Sequence, residues 1–141
     1  MIRSRIVRGI AQTEIVRDIR LAVFSDEQGF TDEFDESDEH CWHIEVWFDN
    51  QPSAAGRMFE SDVKGIYTIG RIAVLPQFRH QSLGSYVMTS LEDHARRCGA
   101  HGIILSAQCH AEGFYQKLGY ISQGDVYMDQ HCPHIEMFKS L

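Results

Sequence analysis

A chain of 141 residues has room for one ordinary domain and none for a second catalytic one. With 43% hydrophobic and 23% charged residues it holds enough apolar surface for a core, which excludes a disordered chain. The formal net charge of -7 argues against nucleic acid as a partner, since eight carboxylates between Asp26 and Glu39 follow one another with no Lys or Arg among them.

In chain order, Ile2 to Val7 predicts a first strand. Thr13 then caps a helix running to about Asp26, with Ile15, Ile19 and Ala22/Val23 forming its buried stripe. Gly29 ends the helix, and the acidic stretch reads as a loop. His43 to Phe48 and Ala54 to Phe59 predict a hairpin about the Asp49-Asn50-Gln51-Pro52 turn, followed by a central strand from Tyr67 to Val74 that Pro76 closes. Ser82 to Cys98 has the clearest helical period. Leu83, Val87, Leu91, Ala95 and Cys98 share one face, and Glu92, Arg96 and Arg97 fall mostly off it. A strand over Ile103 to Ser106 and a short helix over Ala111 to Leu118, capped by Gly119, precede two strands, Tyr120 to Tyr127 and His134 to Phe138. The order β-α-β-β-β-α-β-α-β-β predicts an α+β fold in three layers (α/β/α): a mixed, mostly antiparallel sheet with helices on both faces, as a single domain over residues 1–141.

The four cysteines show no CxxC spacing, and MIRSRIVRGI carries charges where a signal peptide needs an apolar stretch. With no apolar run of 18 residues either, the expectation is a reduced, cytoplasmic protein that does not enter a membrane. A zinc site can be drawn from Cys41, His43, Cys132 and His134, but two ligands at Cys-x-His spacing sit awkwardly on one flat strand, and the reading taken is no metal.

The chemistry concentrates in Ile69 to Ala100, a strand, a short polar loop and a helix whose first turn holds Gln81, Ser82, Leu83 and Gly84. The free N–H groups and dipole of such a helix start bind phosphate, and Arg79 adds a positive charge at its mouth. GxxxxGK[ST] and GxGxxG are both absent, which removes a nucleotide P-loop and a dinucleotide fold.

Together with QCHAEGFYQKLGY, Gln108 to Tyr120, this segment resembles the GNAT superfamily of acyl-CoA N-acyltransferases. RHQSLG (Arg79 to Gly84) stands for the family's cofactor loop and FYQKLGY (Phe114 to Tyr120) for its later helix. The resemblance extends to the ElaA-like branch. Its motifs correspond to Val23 to Gln28, the aspartates Asp35 and Asp38, His43-Ile44, Ala107 to His110 and His134 to Met137. Ser82 departs from the family, which has glycine there; a serine suits a helix N-cap, but its Cβ takes space that family members leave free.

The resemblance implies an enzyme that moves an acetyl group from acetyl-CoA to a small amine by direct transfer, as a monomer or homodimer. A coenzyme A-binding module with little or no activity is the alternative. It implies pantetheine along Ile72, Ala73 and Val74, and the pyrophosphate at Arg79, His80, Gln81, Ser82, Leu83, Gly84 and Ser85. The sheet should open between the strands of Ile72 and Leu105, placing Ala107, Gln108 and His110 at the groove's rim. Tyr115 matches the family's acid for the departing thiolate. Glu27, His43 and His110 stand as candidate bases, Gln28 and Gln108 as amides that position the acceptor, and Asp35 and Asp38 as recognition for its cation.

Overall fold

The computed structural model describes residues 1–141. Seven strands form one sheet: β1 (Ile2–Arg8), β2 (Trp42–Phe48), β3 (Gln51–Glu60), β4 (Ile66–Val74), β5 (Gly102–Gln108), β6 (Ile121–Asp129) and β7 (Cys132–Ser140). Their order across the sheet is β1-β2-β3-β4-β5-β7-β6, and every pairing is antiparallel except β4 with β5. The predicted element order and the mostly antiparallel mixed sheet are thus both present. No helix is long and apolar enough to cross a membrane.

Helices α1 (Glu14–Arg20) and α2 (Leu83–Arg97) cover opposite faces. Strand alternation sorts the core accordingly: Ala55 and Ala73 join Val16, Ile19, Val23 and Phe24 under α1, whereas Ala54, Met58 and Ile69 join Val87, Met88 and Leu91 under α2. Gly56 permits the close approach of α2, because a Cβ there would lie 2.7 Å from Val87 Cγ1 and 2.8 Å from Ile72 Cδ1.

Local signals set several boundaries. The Thr13 side chain accepts from the Val16 amide at 3.2 Å, an N-cap at the expected place. Asp49 and Asn50 both have positive φ, 48° and 67°, which makes the hairpin turn of two residues and starts β3 at Gln51, earlier than expected. The first helix departs from expectation after Arg20, where Leu21–Glu27 widens into π-type turns that carry Phe24 and Gln28 toward the sheet's opening. Glu92, expected off the core face, is buried: it accepts from the Tyr120 hydroxyl at 2.7 Å and from Lys139 Nζ at 3.0 Å. The short helix α3 is Glu112–Lys117, closed by Gly119 at φ 96°.

The acidic stretch is only partly solvated: Glu33 and Asp38 are buried, and its other six acids are exposed. Arg20, with no exposed surface, donates to Glu33 at 2.8 Å and to Asp38 at 2.6 Å, and Arg57 donates to Asp35 at 2.8 Å and Asp38 at 2.9 Å. These arginines come from α1 and β3, so acids without a basic neighbour in sequence have two in space. Burial alone would raise the Asp38 pKa. Hydrogen bonds from Arg20 and the Asp35 amide, with the charges of Arg20 and Arg57, outweigh it and lower the pKa to about 2. A depressed carboxylate stabilises the fold fully above its unfolded pKa and loses that contribution as pH falls from about 4 toward 2. Asp38→Asn should therefore cost roughly 3 kcal/mol near neutrality, by removing the one carboxylate that Arg20 and Arg57 share and leaving each with a single acidic partner, and less at pH 3. Urea unfolding at the two pH values measures this difference.

Candidate active site

Strands β4 and β5 pair only at Ile66 with Gly102, Tyr67 with Ile103 and Thr68 with Ile104. Beyond these they part, which is the opening expected between the strands of Ile72 and Leu105. A bulge accompanies it: Ala55 pairs with Ala73 and Arg57 with Gly70, leaving Arg71 and Ile72 opposite Gly56. Arg71 itself adopts the left-handed conformation, φ 53°, and its side chain turns into the opening.

Two concavities meet in this opening. One is a cleft of about 340 Å³ lined by Phe24, Phe30, Arg71, Gln108, His134 and others; the second groove follows Ile72, Ala73 and Val74 to Arg79, Gly84 and Phe114. Gln28, Ile72, His110, Ala111 and Tyr115 line both. Tyr115, positioned by α3, lies with its ring edge-on to Phe114 at 4.9 Å and to Tyr120 at 5.9 Å. Burial alone pushes its hydroxyl up to about 12, so it keeps its proton across the neutral range. Gln28, Gln108 and His110 form a chain. Gln108 Nε2 donates to Gln28 Oε1 at 2.9 Å, and His110 Nε2 donates to Gln108 Oε1 at 2.6 Å, which leaves Nδ1 of His110 as the nitrogen with a lone pair.

The second groove ends on the start of α2. The first intrahelical bond is from Tyr86 N to Ser82 O at 3.1 Å, so the N–H groups of Leu83, Gly84 and Ser85 have no partner within the helix. Gly84 keeps the cradle shallow, since a Cβ there would lie 3.2 Å from Phe114 Cζ. Such a cradle fits a pyrophosphate. Ser82 does not act as a side-chain cap: it sits at φ 58°, ψ 26°, and its hydroxyl bonds nothing in the helix. A left-handed serine costs about 1 kcal/mol or more that glycine does not. Ser82→Gly should raise the melting temperature by a few degrees and tighten coenzyme A binding a few-fold; thermal scans and calorimetry check both.

Other expected roles meet different geometry. Arg79 is held by Glu27 through bonds of 2.7 and 2.8 Å and donates to the Val74 carbonyl at 3.1 Å, so its charge at the groove is largely balanced. Glu27 is correspondingly engaged, and the Arg79 hydrogen bond lowers its pKa. His43 is fully buried outside the cleft, where its Nε2 donates to the Asp38 carbonyl at 3.0 Å and its Nδ1 has no partner. Burial lowers its pKa, leaving a neutral interior residue in place of a base at the groove. Asp35 and Asp38, expected at the acceptor's cation, are partners of Arg57 and Arg20, and neither lines the cleft. The zinc quartet is not assembled, because β3, β4 and β5 stand between β2 with its Cys41-x-His43 and β7 with Cys132-x-His134.

Three cleft residues escaped sequence reasoning as site residues. Arg71 enters through the bulge, its Nε donating to Glu33 at 3.1 Å. His134 pairs with Gln108 across β5 and β7 and donates from Nδ1 to the Cys132 carbonyl at 2.9 Å, leaving Nε2 unprotonated in the neutral ring. Gln130 arrives from the turn between β6 and β7. Strand register, a bulge and a turn thus bring three side chains distant in sequence to the cleft that Tyr115 also lines.

Residues 11–120 match the family described as Acetyltransferase (GNAT). The chain is 38% identical to the Bacillus subtilis protein YyaT over 128 residues, 87% of this chain and 85% of that one. It is 36% identical to the Bacillus subtilis N-acetyltransferase YjcF over 124 residues, 86% and 87% of the two chains. The crystal structure of Escherichia coli ElaA superimposes with a TM-score of 0.87 at 27% identity, covering 99% of each chain. Because the family match runs unbroken from the first helix through the splayed strands to the tyrosine helix, the chain belongs to the GNAT acetyltransferase family, close to ElaA-like proteins.

Proposed function

We propose that residues 1–141 act as one catalytic domain that moves an acetyl group from acetyl-CoA to the amine of a small acceptor held in the 340 Å³ cleft. The observation that carries this reading is the position of Tyr115 and His110 at the junction of cleft and groove, where the two substrates would meet. The backbone of Ile72, Ala73 and Val74, no longer paired with β5, would hold the pantetheine arm beside the Val74 carbonyl that Arg79 already occupies. The N–H groups of Leu83, Gly84 and Ser85 would hold the pyrophosphate, beside His80 and Gln81 of the loop. When bound, acetyl-CoA supplies an activated acyl carbon and a thiolate leaving group.

His110 is oriented by Gln108 to accept the acceptor's proton on Nδ1, and the half-buried Tyr115 offers its hydroxyl to protonate the leaving sulfur. Gln28 and Gln108 offer neutral amides along the acceptor's path. The experiment is a panel of primary amines assayed for free-thiol release from acetyl-CoA. Acetylated product with at least one amine is expected; coenzyme A binding without release above hydrolysis for every amine would instead support a binding module.

A further inference from the structure

Two segments 99 residues apart in sequence are tied together across the cleft. One follows the first helix and contains Phe30 and Thr31; the other is the turn between β6 and β7, with Gln130 and His131. Gln130 Oε1 accepts from the Thr31 backbone N–H at 2.9 Å, and Gln130 Nε2 donates to the Thr31 carbonyl at 2.8 Å. A third bond runs from Thr31 Oγ1 to Gln130 Oε1 at 3.3 Å. Beside them the rings of Phe30 and His131 lie 4.8 Å apart. Thr31 and Gln130 both line the cleft, so the tie is a strap joining two of its walls.

The chemistry of the strap is particular to glutamine. Grasping the N–H and the C=O of one residue needs an acceptor and a donor on one planar group, which a carboxylate lacks and a shorter asparagine cannot extend as far. Both residues are exposed, so water competes for every bond and the strap opens at small cost.

We propose that Gln130 is a specificity-determining residue: its clasp on Thr31 bridges the cleft, admitting free small amines and excluding amines borne on a polypeptide. The proposal rests on the reading of this cleft as the acceptor site. A peptide N-terminus delivered to Tyr115 must leave its following chain running outward between the rims, and rims joined at 2.8 and 2.9 Å leave no passage there. A free small amine needs no such exit.

The test compares wild type, Gln130→Ala and Thr31→Ala, each with acetyl-CoA and two amines, glycinamide and a glycine-alanine hexapeptide with a free N-terminus. Amide hydrogen exchange at Thr31 is followed in parallel. Wild type is expected to prefer glycinamide, and Gln130→Ala to raise the hexapeptide-to-glycinamide ratio of kcat/KM about tenfold, the scale on which losing a few net hydrogen bonds shifts an open population. Thr31→Ala keeps both backbone bonds and should change the ratio less than about threefold. Thr31 exchange should accelerate in Gln130→Ala, with coenzyme A affinity level throughout. A wild type that uses both amines equally, or a Gln130→Ala protein with unchanged ratio, overturns the proposal. Thiol release with an unprotected Thr31 amide overturns the strap and leaves acetyl transfer standing. No release with either amine, nor across the wider amine panel, from a protein whose Thr31 is protected overturns acetyl transfer and the specificity with it.

Discussion

Gly84→Val should abolish useful coenzyme A binding while leaving the protein folded. The first turn of α2 offers its free N–H groups from a shallow cradle, and any Cβ at Gly84 meets Phe114 Cζ at 3.2 Å. Valine adds two further methyl groups. They must either push the Phe114 ring toward Tyr115 or project over the N–H groups, and both displace a phosphate. Losing two charge-assisted hydrogen bonds, at roughly 1.5 kcal/mol or more each, corresponds to a loss of affinity of about 100-fold. Gly84 is half-buried in the first turn of the helix, and its replacement removes no core side chain, so the melting temperature should change by only a few degrees. Calorimetric titration with coenzyme A, alongside a thermal scan, is the measurement. A folded variant with wild-type affinity would place the pyrophosphate elsewhere.

Tyr115→Phe should lower kcat by about 100-fold with little change in coenzyme A affinity, the scale of one general acid. The ring contacts with Phe114 and Tyr120 persist in phenylalanine, and the hydroxyl bonds no other side chain or backbone group, so its removal breaks no internal hydrogen bond. With its pKa raised to about 12, the tyrosine stays protonated through neutrality, and wild-type activity should show no alkaline loss from this group until pH approaches that value. Single-turnover thiol release, measured from pH 6 to pH 10, separates chemistry from product release. Equal rates for the two proteins would leave Tyr115 as a packing residue of the groove.

What the sequence legibly encodes is what neighbouring residues enforce on one another. The 3.6-residue period of α2, the Thr13 cap, the Asp49-Asn50 turn and the Gly119 stop each depend on a few consecutive side chains, and they reappear within a residue or two of their expected places. The cofactor-side motif from Arg79 to Gly84 is legible for the same reason, being one loop and one helix start. Even there, Ser82 shows a limit: serine suits an N-cap by composition, yet the loop's path forces it into the left-handed region that suits glycine.

Charge partners and cleft walls were decided by the sheet. The eight carboxylates between Asp26 and Glu39 have no basic neighbour in sequence, yet β3 brings Arg57 and α1 brings Arg20 against Asp35, Asp38 and Glu33, so three of them enter an ion network while Asp26, Asp32, Glu36 and Glu39 stay exposed. His43 reads as a candidate base, but it is fully buried and bonded to the Asp38 carbonyl beside that network. Arg71 enters the cleft only because a bulge opposite Gly56 turns it there, and His134 only because β7 inserts between β5 and β6 in the register that sets it against Gln108. Gln130 and Thr31 meet across 99 residues. The sequence by itself therefore determined the elements, their order and the family, because these follow from local periodicity and short motifs; only the tertiary structure decided which charges are neutralised and which side chains line the cleft, because strand pairing and burial are set by contacts between distant parts of the chain.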